Sequence, residues 1–197
     1  AAASRYIYPE LCKITRKIFH PSDDPLYKYV QDDETTVEPE WYLPILPMVL
    51  VNGADGIGTG WSTNIPPFNP LEIVKNIQHL MNDEKLEDMH PWFRGWKGSI
   101  EKIESQKYRM YGKIEQTGPN TLEITELPAR TWTATIKEYL LLGLSGNEKV
   151  KPWIKDMEEQ HTDSIRFIIT LSPEEMEKTR RLGFYERFRL TSTISMS

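Results

Sequence analysis

The stretch that most constrains the chain is Leu46-Pro47-Met48-Val49-Leu50-Val51-Asn52-Gly53-Ala54-Asp55-Gly56-Ile57-Gly58-Thr59-Gly60-Trp61. An apolar, β-branched run feeds an Asn-Gly turn signal, so a central strand is expected to begin at about Leu46. Four glycines then fall at positions 53, 56, 58 and 60, and a single large aliphatic side chain, Ile57, stands between two of them. Glycine lets a backbone turn with φ > 0 or lie close to another surface. Two outcomes stay open for such a loop: a tight hairpin whose Ile57 folds back into a core, or one that holds Ile57 out. The glycine spacing does not give G-x-G-x-x-G, and no Gly-Lys-Ser/Thr follows, so a phosphate cradle is not supported.

At 197 residues and 39% hydrophobic, the chain is long enough to bury a sizeable core. Its one cysteine, Cys12, excludes an internal disulfide and fits a reducing compartment. No apolar run reaches the roughly 20 residues of a membrane span, and no secretory leader is expected from residues 1–6. The net charge of −5 argues against a uniformly basic nucleic-acid binder, but the charge is segregated. Residues 5–20 sum to +3, 23–40 to −6 and 178–189 to +4, which leaves both ends basic and the interior acidic.

Residues 9–19 read as a helix with Leu11, Ile14, Ile18 and Phe19 on one face, stopped by His20-Pro21. The acidic passage 22–39 reads as a solvated connection in which Tyr27 and Tyr29 are packing anchors. Asn69, Pro70 and Glu72 form a helix start, and Ile73, Ile77, Leu80 and Met81 carry that helix to about Asn82. Trp92, Phe93 and Trp96 read as core. A β-meander is expected over 98–103, 108–115 and 121–127, with Gly118-Pro119-Asn120 as its last turn. Thr131–Leu142 reads as a helix with Ile136, Leu140 and Leu141 inward, 164–171 as a strand, and Ser172-Pro173-Glu174-Glu175 as a capping box that opens a helix to about Leu182. An alternating segment within 184–194 closes the series as a last strand. The class is α+β, with antiparallel strands and segregated helices.

The four histidines, His20, His79, His90 and His161, are scattered, and no His/Cys cluster has metal-ligand spacing. One chemical candidate stands near the start, Arg5-Tyr6. A phenol with a pKa near ~10 attacks poorly unless a cation favours its anion and neutralises the group under attack. An arginine fork supplies both for a phosphate.

Beyond these local signals, Arg5-Tyr6-Ile7-Tyr8, the run Val37-Glu38-Pro39-Glu40-Trp41-Tyr42-Leu43-Pro44-Ile45-Leu46-Pro47, the stretch 52–60, Asn64-Ile65-Pro66-Pro67-Phe68-Asn69 and Glu126-Leu127-Pro128-Ala129-Arg130-Thr131-Trp132-Thr133 together resemble eukaryotic DNA topoisomerase II, and fungal members most closely. The likeness covers essentially the whole chain, and the bacterial gyrase A subunit shares its Asn-Gly-Ala-x-Gly-Ile element and Ile-Pro-Pro turn. It implies that residues 1–45 are the C-terminal part of a winged-helix domain and 46–197 a tower domain. Tyr6 would be the DNA-cleaving nucleophile and Arg5 its assistant, giving a 5′-phosphotyrosyl link. Ile57 would be driven between base pairs to bend the duplex. The run Arg189, Leu190, Thr191, Ser192, Thr193, Ile194, Ser195, Met196 and Ser197 would touch DNA. The resemblance further implies a nuclear homodimer that passes one duplex through another using ATP, with Mg2+ held by residues outside this chain. Neither cofactor is expected on these residues, and the segment alone is expected not to cleave DNA. A non-catalytic DNA-bending or scaffold module, with Tyr6 incidental, is the alternative.

Overall fold

The structure, a computed structural model, describes residues 2–197. The chain forms two compact units, Ala1–Ala54 with Pro67–His90, and Asp55–Pro66 with Pro91–Ser197. The chain thus leaves the first unit at the glycine-rich stretch, returns for one helix, and leaves again. Helices are interspersed with strands along the sequence, and every strand pairing is antiparallel, a mixed architecture of the α+β class.

In the first unit, only one turn of the helix expected over 9–19 forms, α1 (Thr15–Ile18). Leu11 and Ile14 are exposed, so the apolar stripe finds no facing surface within this unit. Helical stability comes mainly from packing such a stripe, and without it a short helix does not propagate. The acidic passage is not a bare connection: β1 (Tyr29–Asp32) and β2 (Thr35–Pro39) form an antiparallel hairpin, with Asp33 at φ 51 in its turn. Tyr27 is buried and meets the ring edges of Tyr29, Trp41 and Tyr42, while Tyr29 itself stays exposed. The strand expected from Leu46 is instead a short helix, α2 (Met48–Asn52). Pro47 presets the entry angle, and Gly53, at φ 71, stops the helix and turns the chain toward β3 (Ala54–Ile57).

β3 pairs with β4 (Ser62–Ile65) in a two-stranded ribbon of its own. Helix α3 (Pro70–Met81) starts as its sequence requires, with Leu71 N–H donating to Asn69 Oδ1 at 3.0 Å and Pro70 in the first turn. Ile73 is buried on this helix, whereas Leu80 and Met81 are exposed.

The second unit holds the main core. The expected meander is divided between two sheets. β5 (Ser99–Glu104) and β6 (Lys107–Tyr111) belong to the order β11-β6-β5, whereas β7 (Lys113–Gly118) and β8 (Thr121–Glu126) belong to β7-β8-β10-β9. The switch falls at Gly112, whose N–H donates to Leu190 O at 2.9 Å. A Cβ there would collide with the carbonyl oxygen of Glu126, so only glycine lets the run 107–118 pass from one sheet to the other. Helix α4 (Thr133–Ser145) buries Ile136 and Leu140, and Leu141 lies half out. The edge strand β9 (Asp156–Glu159) and then β10 (Phe167–Thr170) complete the four-stranded sheet. Helix α5 (Pro173–Leu182) opens on Ser172 Oγ, which accepts from Glu175 N–H at 3.2 Å. Gly183, at φ 91, ends α5, so the expected final strand becomes one helical turn, α6 (Phe184–Arg187), followed by β11 (Thr191–Ser195) on β6. Leu122, Ile124, Leu140, Phe167, Ile169, Phe188 and Leu190 form the centre of this core, all fully buried. Phe93 and Trp96 pack on the smaller cluster of Met110, Ala129 and Ile194, while Trp92 lies half exposed.

Candidate functional site

Three places in the fold carry the candidate residues. The first is the 3-10 turn Ser4–Tyr6 in the first unit, where Tyr6 N–H donates to Ala3 O at 2.9 Å. Tyr6 is 65% exposed, and the Arg5 guanidinium lies over its ring with the central carbon 4.8 Å from the centroid. That contact keeps a cation beside a solvent-accessible phenol.

The second is the β3–β4 ribbon of the second unit. Ile57 ends β3 and is 92% exposed, so the held-out arrangement is the one the structure adopts. The turn is closed by Gly58 N–H donating to Trp61 O at 2.8 Å, and Trp61 is 85% exposed. A Cβ at Gly56 would meet no atom within 4 Å, and one at Gly58 only the Trp61 carbonyl at 3.7 Å. Neither glycine is required by packing inside this fold. What the two missing side chains leave is open space on both sides of Ile57.

The third is the C-terminal run, which the structure ties to the base of the ribbon. Asn64 N–H donates to Ser197 O at 2.9 Å, Ser197 N–H returns to Asn64 O at 3.3 Å, and Asn64 Nδ2 donates to Ser195 O at 2.9 Å. Arg130 Nη1 donates to Asn64 Oδ1 at 2.7 Å and stands 3.9 Å from an Asp55 carboxylate oxygen. Asn64, Arg130 and Asp55 were not among the sequence-predicted site residues. Asn64 and Arg130 do lie in two of the motifs that carry the resemblance, while Asp55 flanks the glycines in a third.

Within residues 189–197 the side chains divide by strand alternation. Leu190 and Ile194 are buried in the core, so neither side chain is available to a partner. Ser192 Oγ is also buried and has no hydrogen-bond partner. Thr193, Ser195 and Ser197 face outward, Thr191 and Met196 lie half-buried, and Arg189 stands exposed just before β11 with its guanidinium 4.3 Å from the Tyr139 ring centroid. Among the described residues, no group of three or more His, Cys, Asp and Glu is placed to hold a metal, and no helix is long and apolar enough to cross a membrane.

The chain matches the family model for the A subunit of DNA gyrase/topoisomerase IV over residues 1–197, and belongs to that family. It is 81% identical over 196 residues to a DNA topoisomerase 2 from Saccharomyces cerevisiae, covering all of this chain and 14% of that protein. It is 61% identical to a DNA topoisomerase 2 from Candida albicans, again over all of this chain and 13% of the relative. The chain thus spans about a seventh of the length of these curated relatives. Its fold matches a crystal structure of the Plasmodium falciparum topoisomerase II DNA-binding, cleavage and re-ligation domain, with a TM-score of 0.88 and 38% identity over 99% of this chain and 26% of that one.

Proposed function

We propose that this chain is part of the breakage-reunion core of a type IIA DNA topoisomerase, with Tyr6 as nucleophile and Ile57 as the wedge that bends the cleaved duplex. The observation that supports this most is Ile57 itself: an aliphatic side chain 92% exposed, at the tip of a ribbon, with a glycine on each side. Inserting an apolar wedge between base steps costs a few kcal/mol of unstacking, offset by the larger surface that a bent duplex meets. The β-branched side chain keeps one stiff shape for insertion.

In the chemical step, Tyr6 Oη attacks a backbone phosphorus. The Oη–P bond forms, the P–O3′ bond breaks, and the phenolic proton leaves Tyr6 as the 3′ oxygen becomes a hydroxyl. The ester keeps the energy of the phosphodiester, so the 3′-hydroxyl can reverse the step. Arg5, poised over the Tyr6 ring, offsets negative charge on the attacking oxygen and on the phosphate in flight. Mg2+, which the family implies, would when bound supply charge neutralisation to the reacting phosphate. By the family resemblance, both Mg2+ and ATP are assigned to other parts of the protein. The same proposal carries a homodimer, a nuclear location and ATP-dependent passage of a second duplex.

The test is the covalent adduct. In the full-length protein with Mg2+ and an end-labelled duplex, Tyr6→Phe keeps the ring and removes the attacking oxygen, so the protein-linked DNA band on a denaturing gel is expected to disappear. A band that survives would overturn the nucleophile assignment and favour a module that bends DNA without cutting it.

A further inference from the structure

The β3–β4 ribbon has no third strand and none of its residues is buried, so no core beneath it fixes the direction in which Ile57 points. An isolated pair of strands is only marginally stable in water, and its direction has to be set from its base. That base is a clamp on one residue, Asn64. Its main chain exchanges two hydrogen bonds with Ser197, its Nδ2 donates to Ser195 O at 2.9 Å, and its Oδ1 accepts from Arg130 Nη1 at 2.7 Å. Arg130 also stands 3.9 Å from a carboxylate oxygen of Asp55, so one guanidinium ties β4 to β3.

The arginine stands on a backbone that suits another residue. Thr131 N–H donates to Pro128 O at 3.1 Å, closing a four-residue turn in which Arg130 is third, at φ 64. Glycine takes such a position without strain, whereas a residue with a Cβ holds it only where its surroundings require it. The neighbouring Ala129 is buried with Met110 and Ile194, which pins the turn to β11 next to Ser195. What arginine adds over glycine there is its side chain, and that side chain runs to Asn64 and Asp55.

We propose that Asn64 and Arg130 are positioning residues for DNA bending, which act by fixing the angle at which the ribbon presents Ile57 and make no contact with DNA themselves. The inference rests on the wedge role of Ile57. Asp55 and Ile57 are two residues apart. At about 3.3 Å per residue this makes a lever of about 7 Å. A swing of about 15° at the base would carry the wedge about 2 Å sideways, a large part of the ~3.4 Å spacing along each DNA strand that it has to enter. A ribbon free to swing by that amount would meet the edge of a base more often than the gap between two.

The experiment uses the full-length protein and a duplex labelled at both ends. Asn64→Ala removes the two side-chain bonds and keeps both main-chain bonds to Ser197, while Arg130→Met removes the guanidinium and keeps an apolar stem. Each is expected to lose most of the energy transfer that reports bending. Duplex affinity, read by fluorescence anisotropy across a salt series, is expected to stay within about twofold of wild type with an unchanged slope, because no phosphate contact is removed. A slope lowered by about 1 in Arg130→Met would make Arg130 a phosphate contact and overturn the positioning role. The double variant Ile57→Ala with Asn64→Ala separates positioning from a general structural loss, which would act whatever stands at position 57. It is expected to bind and bend DNA as Ile57→Ala alone does, and a further drop in either would overturn action through Ile57. Single variants that bend DNA like the wild type, while Ile57→Ala does not, overturn the clamp and leave the wedge standing. Undiminished bending by Ile57→Ala overturns the wedge itself, and the clamp's role with it.

Discussion

Ile57 and Ile124 are the same residue type, each near the middle of a short stretch of strand and turn, yet one is 92% exposed and the other fully buried. Ile124 lies on β8 between β7 and β10, among Leu122, Phe167 and Ile169, where both neighbouring strands and α4 close around it. Ile57 lies on a ribbon of two strands with glycines in place of neighbours. Burial is therefore decided by what the surrounding sequence supplies, and not by the side chain itself. Its glycine flanks keep Ile57 out of any core of its own, and under the proposed function that leaves it for a partner outside the chain.

The comparison can be broken at several points. The largest effect is expected at the core: Phe167→Ala removes a fully buried ring and is expected to cost about 3–5 kcal/mol, read by denaturant unfolding. Gly112→Ala comes next, because its Cβ would meet the Glu126 carbonyl at the point where the chain changes sheets. A loss of about 1–3 kcal/mol is expected, and no change would mean that the backbone relaxes freely there. A smaller effect concerns Glu123 on β8 and Arg166, the residue just before β10, which pair at 2.7 Å. The Arg166 hydrogen bond holds the Glu123 carboxyl below its ordinary value, although burial opposes this. A carboxyl lowered on folding stabilises the native state above its unfolded pKa of about 4.3 and loses that contribution as pH falls through the lower folded value. Glu123→Gln is therefore expected to flatten the stability profile below about pH 4.5, with little change in its shape at neutral pH.

Much of this was legible in the chain. Asn69-Pro70 and Ser172-Pro173-Glu174-Glu175 state their helix starts in residues that satisfy orphan N–H groups, and both helices begin there. The exposure of Ile57 was one of two outcomes open to its glycine flanks. What remained hidden depended on distant pairing. Nothing local to 107–118 shows that β11, some eighty residues on, would claim β6 and leave β7 to another sheet. Nor does the spacing of Leu11, Ile14 and Ile18 reveal whether a surface exists to receive them. In the candidate site, Arg5, Tyr6 and Ile57 could be singled out by residue type and resemblance. Asn64, which braces the ribbon through both its backbone and its amide, could not, because its partners at 130, 195 and 197 meet it only in the folded chain.

The smallest expected change in stability carries the most direct test. Ile57→Ala removes a side chain that touches little of its own fold, so folding free energy is expected to stay within about 0.5 kcal/mol of the wild type. The same variant of the full-length protein, bound to a duplex labelled at both ends, is expected to lose most of the energy transfer that reports bending. A variant that bends DNA as well as the wild type does, or one destabilised by the ~2–5 kcal/mol of a truncated core isoleucine, would contradict the role assigned to Ile57.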